Sequence, residues 1–163
     1  MATSSIIKNY RDSTILIEDG TSGTALNYTV QYEPGDFSFD LPKHETAVYY
    51  DRGEVATVRK TQTALPTGTF SVHFTELSDA SNENLTDILD KEGAFSAAVS
   101  TLGANADVYT VKITVTIAGT SHGDSGGDNV ITFDDCFCTW SLSEGDPTTI
   151  SVSFTCHGAV TRA

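Results

Sequence analysis

Basic residues are scarce in this chain: 9 Lys+Arg stand against 22 Asp+Glu, a net charge of −13 over 163 residues. A surface of that sign repels phosphate backbones, which excludes tight nucleic-acid binding. Cysteine is scarcer still. Cys136, Cys138 and Cys156 are an odd number without regular spacing, so no disulfide framework is encoded. No apolar run approaches the length of a membrane span, and Met1 to Tyr10 lack the continuous apolar core of a signal peptide. Synthesis and folding in a reducing cytoplasm are therefore expected. Also missing are a phosphate-binding glycine loop ahead of a helix, a basic-aromatic stripe, internal repeats and low-complexity tracts.

What is present is strand alternation. Tyr109, Val111, Ile113, Val115 and Ile117 alternate with Thr110, Lys112, Thr114 and Thr116. Ile150, Val152, Phe154 and Cys156 alternate with Thr149, Ser151, Ser153, Thr155 and His157. Phe70, Val72 and Phe74 repeat the scheme against Thr69, Ser71, His73 and Thr75. Successive strand side chains face opposite ways, so each segment offers one dry face and one hydroxyl face. A face coated with short hydroxyls is smooth and hydrated, and suits a wall better than an active site.

The remaining segments extend this pattern. Residues 1–12 read as a polar arm, followed by a strand through Thr14, Ile15, Leu16 and Ile17. Leu26, Tyr28, Val30 and Tyr32 alternate, Pro34-Gly35 marks a turn, and Phe37, Phe39 and Leu41 resume, which predicts a hairpin. Within an extended hairpin and loop over residues 42–66, Ala47 to Tyr50 and Glu54 to Lys60 flank a tip at Asp51-Arg52-Gly53. One helix is expected, capped by Asp79 or Ser81, with Leu85, Ile88 and Leu89 on one face and Gly93 near its end. Glycine-rich residues 119–129 read as a flexible loop between strands at 108–118 and 130–134. A last hairpin joins Cys136–Ser143 to Thr148–His157 through Glu144-Gly145-Asp146-Pro147. The expected fold is a single domain over 1–163, mainly β: a β-sandwich or partly closed barrel of about ten strands with one short flanking helix.

Three segments invite a chemical reading. Gly123-Asp124-Ser125-Gly126-Gly127 reproduces the pentapeptide around the nucleophilic serine of chymotrypsin-like proteases. Asp128 stands where proline usually follows, neither His44 nor His73 has the Ala-Ala-His-Cys context, and the chain is short for two barrels. Asp124 and Asp128 are hard oxygen donors that could serve calcium, but a calcium loop normally supplies more fixed ligands. Cys136, Cys138, Cys156 and His157 could be read as a zinc site. Parity, however, puts Cys136 and Cys138 on one face and turns His157 away from Cys156, and a hairpin centred near Gly145 sets Cys156 roughly opposite Cys136. Core packing of small buried thiols is the preferred reading. None of His44, His73, His122 and His157 has an acidic partner at motif spacing. Neither catalysis nor a cofactor is expected.

Taken in order, several segments resemble the major tail tube protein of long-tailed bacteriophages. They are Tyr49-Tyr50-Asp51-Arg52-Gly53-Glu54, the Gly68 to Phe74 strand, and Asn84-Leu85-Thr86-Asp87-Ile88-Leu89. The ending carries Phe133-Asp134-Asp135-Cys136, then Glu144-Gly145-Asp146-Pro147-Thr148-Thr149 and the strand to Gly158. The resemblance runs over about residues 10 to 160 and rests on order rather than on any one piece. That family is similar to the tube protein of type VI secretion systems. It implies a helix-flanked β-sandwich that forms six-fold rings and stacks into a hollow tube for genome delivery. It also implies a virion tail location after assembly in the host cytoplasm. Partners would be further copies of the chain, a tape measure protein, and terminator and distal tail proteins, with DNA passing unbound. An early hairpin reaching the next ring points to Tyr49, Tyr50, Asp51, Arg52, Glu54 and Arg59 as interface residues. A channel wall points to Thr110, Lys112, Thr114, Thr116, Ser151, Ser153 and Thr155. The tip here is short for that family. A head decoration protein, another tail β-sandwich protein, and a calcium-dependent carbohydrate module remain alternatives.

Overall fold

A computed structural model describes residues 13–30, 37–119 and 127–163. The expected arm at 1–12, the Pro34-Gly35 turn, and the protease-like pentapeptide up to Gly126 lie outside the described residues.

Ten strands are described: β1 (Ser13–Glu18), β2 (Asn27–Val30), β3 (Ser38–Asp40), β4 (Thr46–Asp51), β5 (Glu54–Lys60), β6 (Thr67–His73), β7 (Val111–Ile117), β8 (Asn129–Ser143), β9 (Thr149–Cys156) and β10 (Val160–Arg162). One α-helix, α1 (Leu85–Asp90), precedes a 3₁₀ turn at Gly93–Phe95. Seven strands run in the order β2-β1-β7-β8-β9-β6-β3, β10 pairs with β8, and β4–β5 form a separate ribbon. All the pairings are antiparallel.

Among the described residues, β2 and β3 do not pair with each other as the predicted hairpin requires. β2 pairs with β1 and β3 with β6, so they occupy opposite ends of the strand order. Residues 31–37 join those ends, a link that spans at most about 28 Å fully extended, against about 29 Å for six strand spacings in a flat sheet. The sheet must therefore roll until its two edges approach. Phe39 of β3 confirms the curl by meeting Phe133 of β8 edge-on at 5.6 Å. In a flat sheet, three strand steps would separate them by about 14 Å. The result is sandwich-like rather than a closed barrel.

Inside the roll, β-branched and aromatic side chains from both halves meet in one cluster. Ile15, Ile17, Ile113 and Val115 come from one side and Phe70, Val152 and Phe154 from the other, with Phe133 between them. Phe133 and Phe154 pack edge-on at 5.2 Å. Gly68, opposite Phe154 in the β6–β9 ladder, leaves room for that ring. Phe74 falls just past the end of β6 and is exposed.

β8 replaces two expected strands with one 15-residue strand. Asp135 bulges it with φ 53°, which lets Phe133 and Cys136, three residues apart, both point inward. The helix also starts later than predicted, at the N-cap Asn84 and without a side-chain cap bond. Asp79 is occupied elsewhere: its carboxylate accepts from the Ser81 amide and the Asn82 side chain, both at 2.7 Å. α1 packs against β2 and β8, and Leu85 to Leu89 are all buried. The Tyr109 hydroxyl donates to the Ile88 carbonyl at 3.0 Å, and Trp140 Nε1 donates to Asp90 at 2.7 Å. Burial pushes the Tyr109 phenol well above its usual pKa.

Candidate assembly surfaces

The ribbon β4–β5 follows from its sequence. β-branched and aromatic residues favour strands, and Arg52-Gly53 forms a two-residue turn with φ 50° and 88°. Every residue of the two strands is exposed except Ala47, which is half-buried. Tyr49, Tyr50, Asp51, Arg52, Glu54 and Arg59 thus all lie on one exposed ribbon and its turn. A register shift between Tyr49 and Tyr50 rearranges its faces. Val48 pairs with Val58, but Tyr50 pairs with Val55. Directly opposed residues share a face, so Val48, Tyr50, Val55 and Val58 form an apolar group, 41–67% exposed. Tyr49, Thr57 and Arg59 lie on the other face. Sequence reasoning missed Val48, Val55 and Val58, because simple alternation puts Val55 and Val58 on opposite sides.

The hydroxyl face is more extensive than the two candidate strands. Ser38, Thr69, Ser153 and Thr139 lie in register across β3, β6, β9 and β8. Ser71, Ser151 and Ser141 form a second row. Hydroxyls bond across these rows: Ser38 to Thr69 at 2.9 Å and Ser71 to Ser151 at 3.2 Å. Both rows are uncharged. Thr155 stands beside Thr67 and the exposed Phe137. On the other half, Thr114 pairs with Leu16 and Thr132, and Thr116 with Thr14 and Val130. Lys112 reaches Glu18 at 2.7 Å, so the one base among the proposed lining residues is charge-paired.

Thr110 departs from the outward position that alternation assigns it. It precedes β7 and is 1% exposed, with its hydroxyl bonded to those of Ser100 at 2.9 Å and Thr101 at 2.8 Å. The chain at 99–102 folds over it, because Asp19 and Gly20 bind Val99 from the other side.

The cysteines are all free. Cys136 and Cys156 are directly paired and buried, Cys138 follows on the same face, and His157 is exposed. Among the described residues no group of three or more His, Cys, Asp or Glu is placed to hold a metal ion. Asp128 accepts the Gly119 amide at 3.0 Å. No described helix is long and apolar enough to cross a membrane.

No protein-family model matches the chain, and no curated protein matches it in sequence. Solved structures do match in fold. A chain of the anti-feeding prophage cap, described as the tube terminating cap, aligns with TM-score 0.61 and 14% identity, covering 100% of this chain and 94% of its own length. A chain of the sheath–tube complex of the PVC extracellular contractile injection system, in its extended state, aligns with TM-score 0.61 and 11% identity over 99% of both chains. A chain of the six-fold symmetrised anti-feeding prophage baseplate gives 0.56 and 9%, covering 100% of this chain and 97% of that one. The chain thus has a tail-tube-like fold, shared end to end with components of contractile injection systems.

Proposed function

We propose that this protein is a structural subunit of a tail tube, whose copies close into six-fold rings and stack into a hollow conduit. In a bacteriophage that conduit would deliver the genome. The observation that carries the reading is the ribbon β4–β5, whose exposed Val48, Tyr50, Val55 and Val58 form a contiguous apolar group of the kind that marks an interaction site. Tyr and Arg, both present here, are enriched at interface cores. The end-to-end likeness to chains from tube-bearing assemblies supports the same reading. The uncharged hydroxyl rows fit a channel wall, since they hold water and offer phosphates no cation. On this reading the protein is not an enzyme and acts in the tail. Its partners are its own copies, a tape measure protein, and terminator and distal tail proteins. Sedimentation and negative-stain microscopy at roughly tens of micromolar, a range suited to modest interfaces, test it. Rings or tubes are expected; a monomer at every salt concentration overturns it.

A second reading, a tube terminator, is favoured by the equal TM-score to the tube terminating cap. On that reading the protein would close into rings that do not elongate, so the same micrographs separate the two.

A further inference from the structure

Cys136 and Cys156 form a directly opposed pair on β8 and β9, and both point into the core. The neighbouring ladder bond defines their geometry. The His157 amide donates to the Asp135 carbonyl at 3.1 Å, which makes 135/157 a hydrogen-bonded position and 136/156 the non-hydrogen-bonded one beside it. At such positions Cα atoms lie about 4.5 Å apart and side chains approach closely. Disulfides form over about 4.4–6.8 Å. Cys138 is the poorer partner: it pairs with Phe154, it lies about 6.8 Å from Cys136 along one strand, at the far limit of that range, and its diagonal to Cys156 is about 7–8 Å.

We propose that Cys136 and Cys156 are a redox pair that closes to an intramolecular cross-strand disulfide when the folded protein meets hydrogen peroxide. The adjacent Cys156 sulfur, together with burial, holds the Cys136 thiol well above its usual pKa, and the adjacent Cys136 lowers that of Cys156. Cys156 is thus the sulfur that ionises first. Its thiolate attacks one peroxide oxygen, the O–O bond breaks, and a sulfenic acid and a hydroxide result. Cys136 then attacks the sulfenic sulfur, the S–S bond forms, and a second hydroxide leaves. The two thiol protons convert both hydroxides to water. Two thiols and one peroxide thereby give one disulfide and two waters.

Both cysteines are 0% exposed, so peroxide reaches them when the short connection after β9 opens. The Cys156 thiol donates to the Asp134 carbonyl at 3.0 Å beneath the His157–Ala159 connection, where His157 and Ala159 are exposed. The bond would tie β8 to β9 at the end of the hairpin far from its turn. Under the tail-tube reading, it would form once a particle leaves the reducing cytoplasm. The chemistry itself does not depend on that reading.

The test uses the full-length reduced protein, treated with hydrogen peroxide well below its unfolding midpoint, then denatured, alkylated and weighed. Two of three thiols should resist alkylation, and a peptide map should join Cys136 to Cys156. Dithiothreitol should restore all three. The oxidised monomer should melt roughly 5–10 °C higher than the reduced one. Cys138→Ser should retain the cross-link and Cys156→Ser should abolish it. If Cys156→Ser fails to fold, the peptide map of Cys138→Ser decides alone. Three alkylated thiols, a link through Cys138, or a link between chains overturns the proposal. Failure here leaves tube formation untouched, and the reverse holds equally.

Discussion

The carboxylate of Asp19 accepts the backbone amide of Val99, 80 residues downstream, at 2.9 Å. It also accepts the amides of Leu26 at 2.8 Å and Thr21 at 3.2 Å, together with the Thr21 hydroxyl. Asp19 is 4% exposed, so one buried carboxylate ties the β1–β2 connection to the segment that covers Thr110. Asp19→Ala strands these buried donors and should destabilise the fold by roughly 2–4 kcal/mol. Urea unfolding of the unassembled protein measures this.

The same carboxylate sets an acid limit. Burial opposes its charge, but hydrogen bonds from the Thr21 hydroxyl and from the Val99, Thr21 and Leu26 amides outweigh it and hold its pKa below the usual carboxylate value. Its contribution is therefore complete above the unfolded-state pKa of about 4 and is lost as pH falls through the lower folded value. The stability gap between wild type and Asp19→Asn should be constant near neutrality and shrink below about pH 4. A gap that widens on acidification would contradict this assignment.

Gly68→Ala should destabilise by about 1–3 kcal/mol, because the added methyl lands on the Phe154 ring. Phe154 has little room to retreat, being packed edge-on against Phe133. Gly68→Ala combined with Phe154→Leu should lose less stability than the two single changes summed. Additive losses would show that the ring and the methyl do not compete.

Arg52→Glu at the exposed tip of the ribbon should leave the unfolding midpoint within about 0.5 kcal/mol of wild type. Under the tail-tube reading it should shorten or abolish tubes. Tyr50→Ala should do the same by trimming the apolar group. Normal tubes in both variants, counted in micrographs, would place the contact elsewhere.

Thr114→Arg with Ser153→Arg adds two cations per subunit to the hydroxyl face. Tubes should still form, since both residues point away from the core. If this face lines the channel, these tubes should hold DNA at low salt and release it as salt rises. Unaltered DNA retention in tubes of confirmed composition would show that the face looks outward.

Strand alternation by itself determined the dry and wet faces of β6, β7 and β9, because burial on one side imposes a period of two whatever the neighbours are. The centre of the last turn determined that Cys136 faces Cys156, since a hairpin's register follows from its loop. Leu85, Ile88 and Leu89 marked the helix. Partnership was decided only by the tertiary structure. β2 and β3 flank a turn signal, yet β2 pairs back with β1 and β3 with the distant β6, because ladder bonds between backbones carry no residue code and the choice falls to whole-sheet burial. The bulge between Tyr49 and Tyr50 aligned Val55 with Val48, and the cover anchored by Asp19 buried Thr110. Both outcomes depend on contacts between segments far apart in sequence, which a local pattern does not encode.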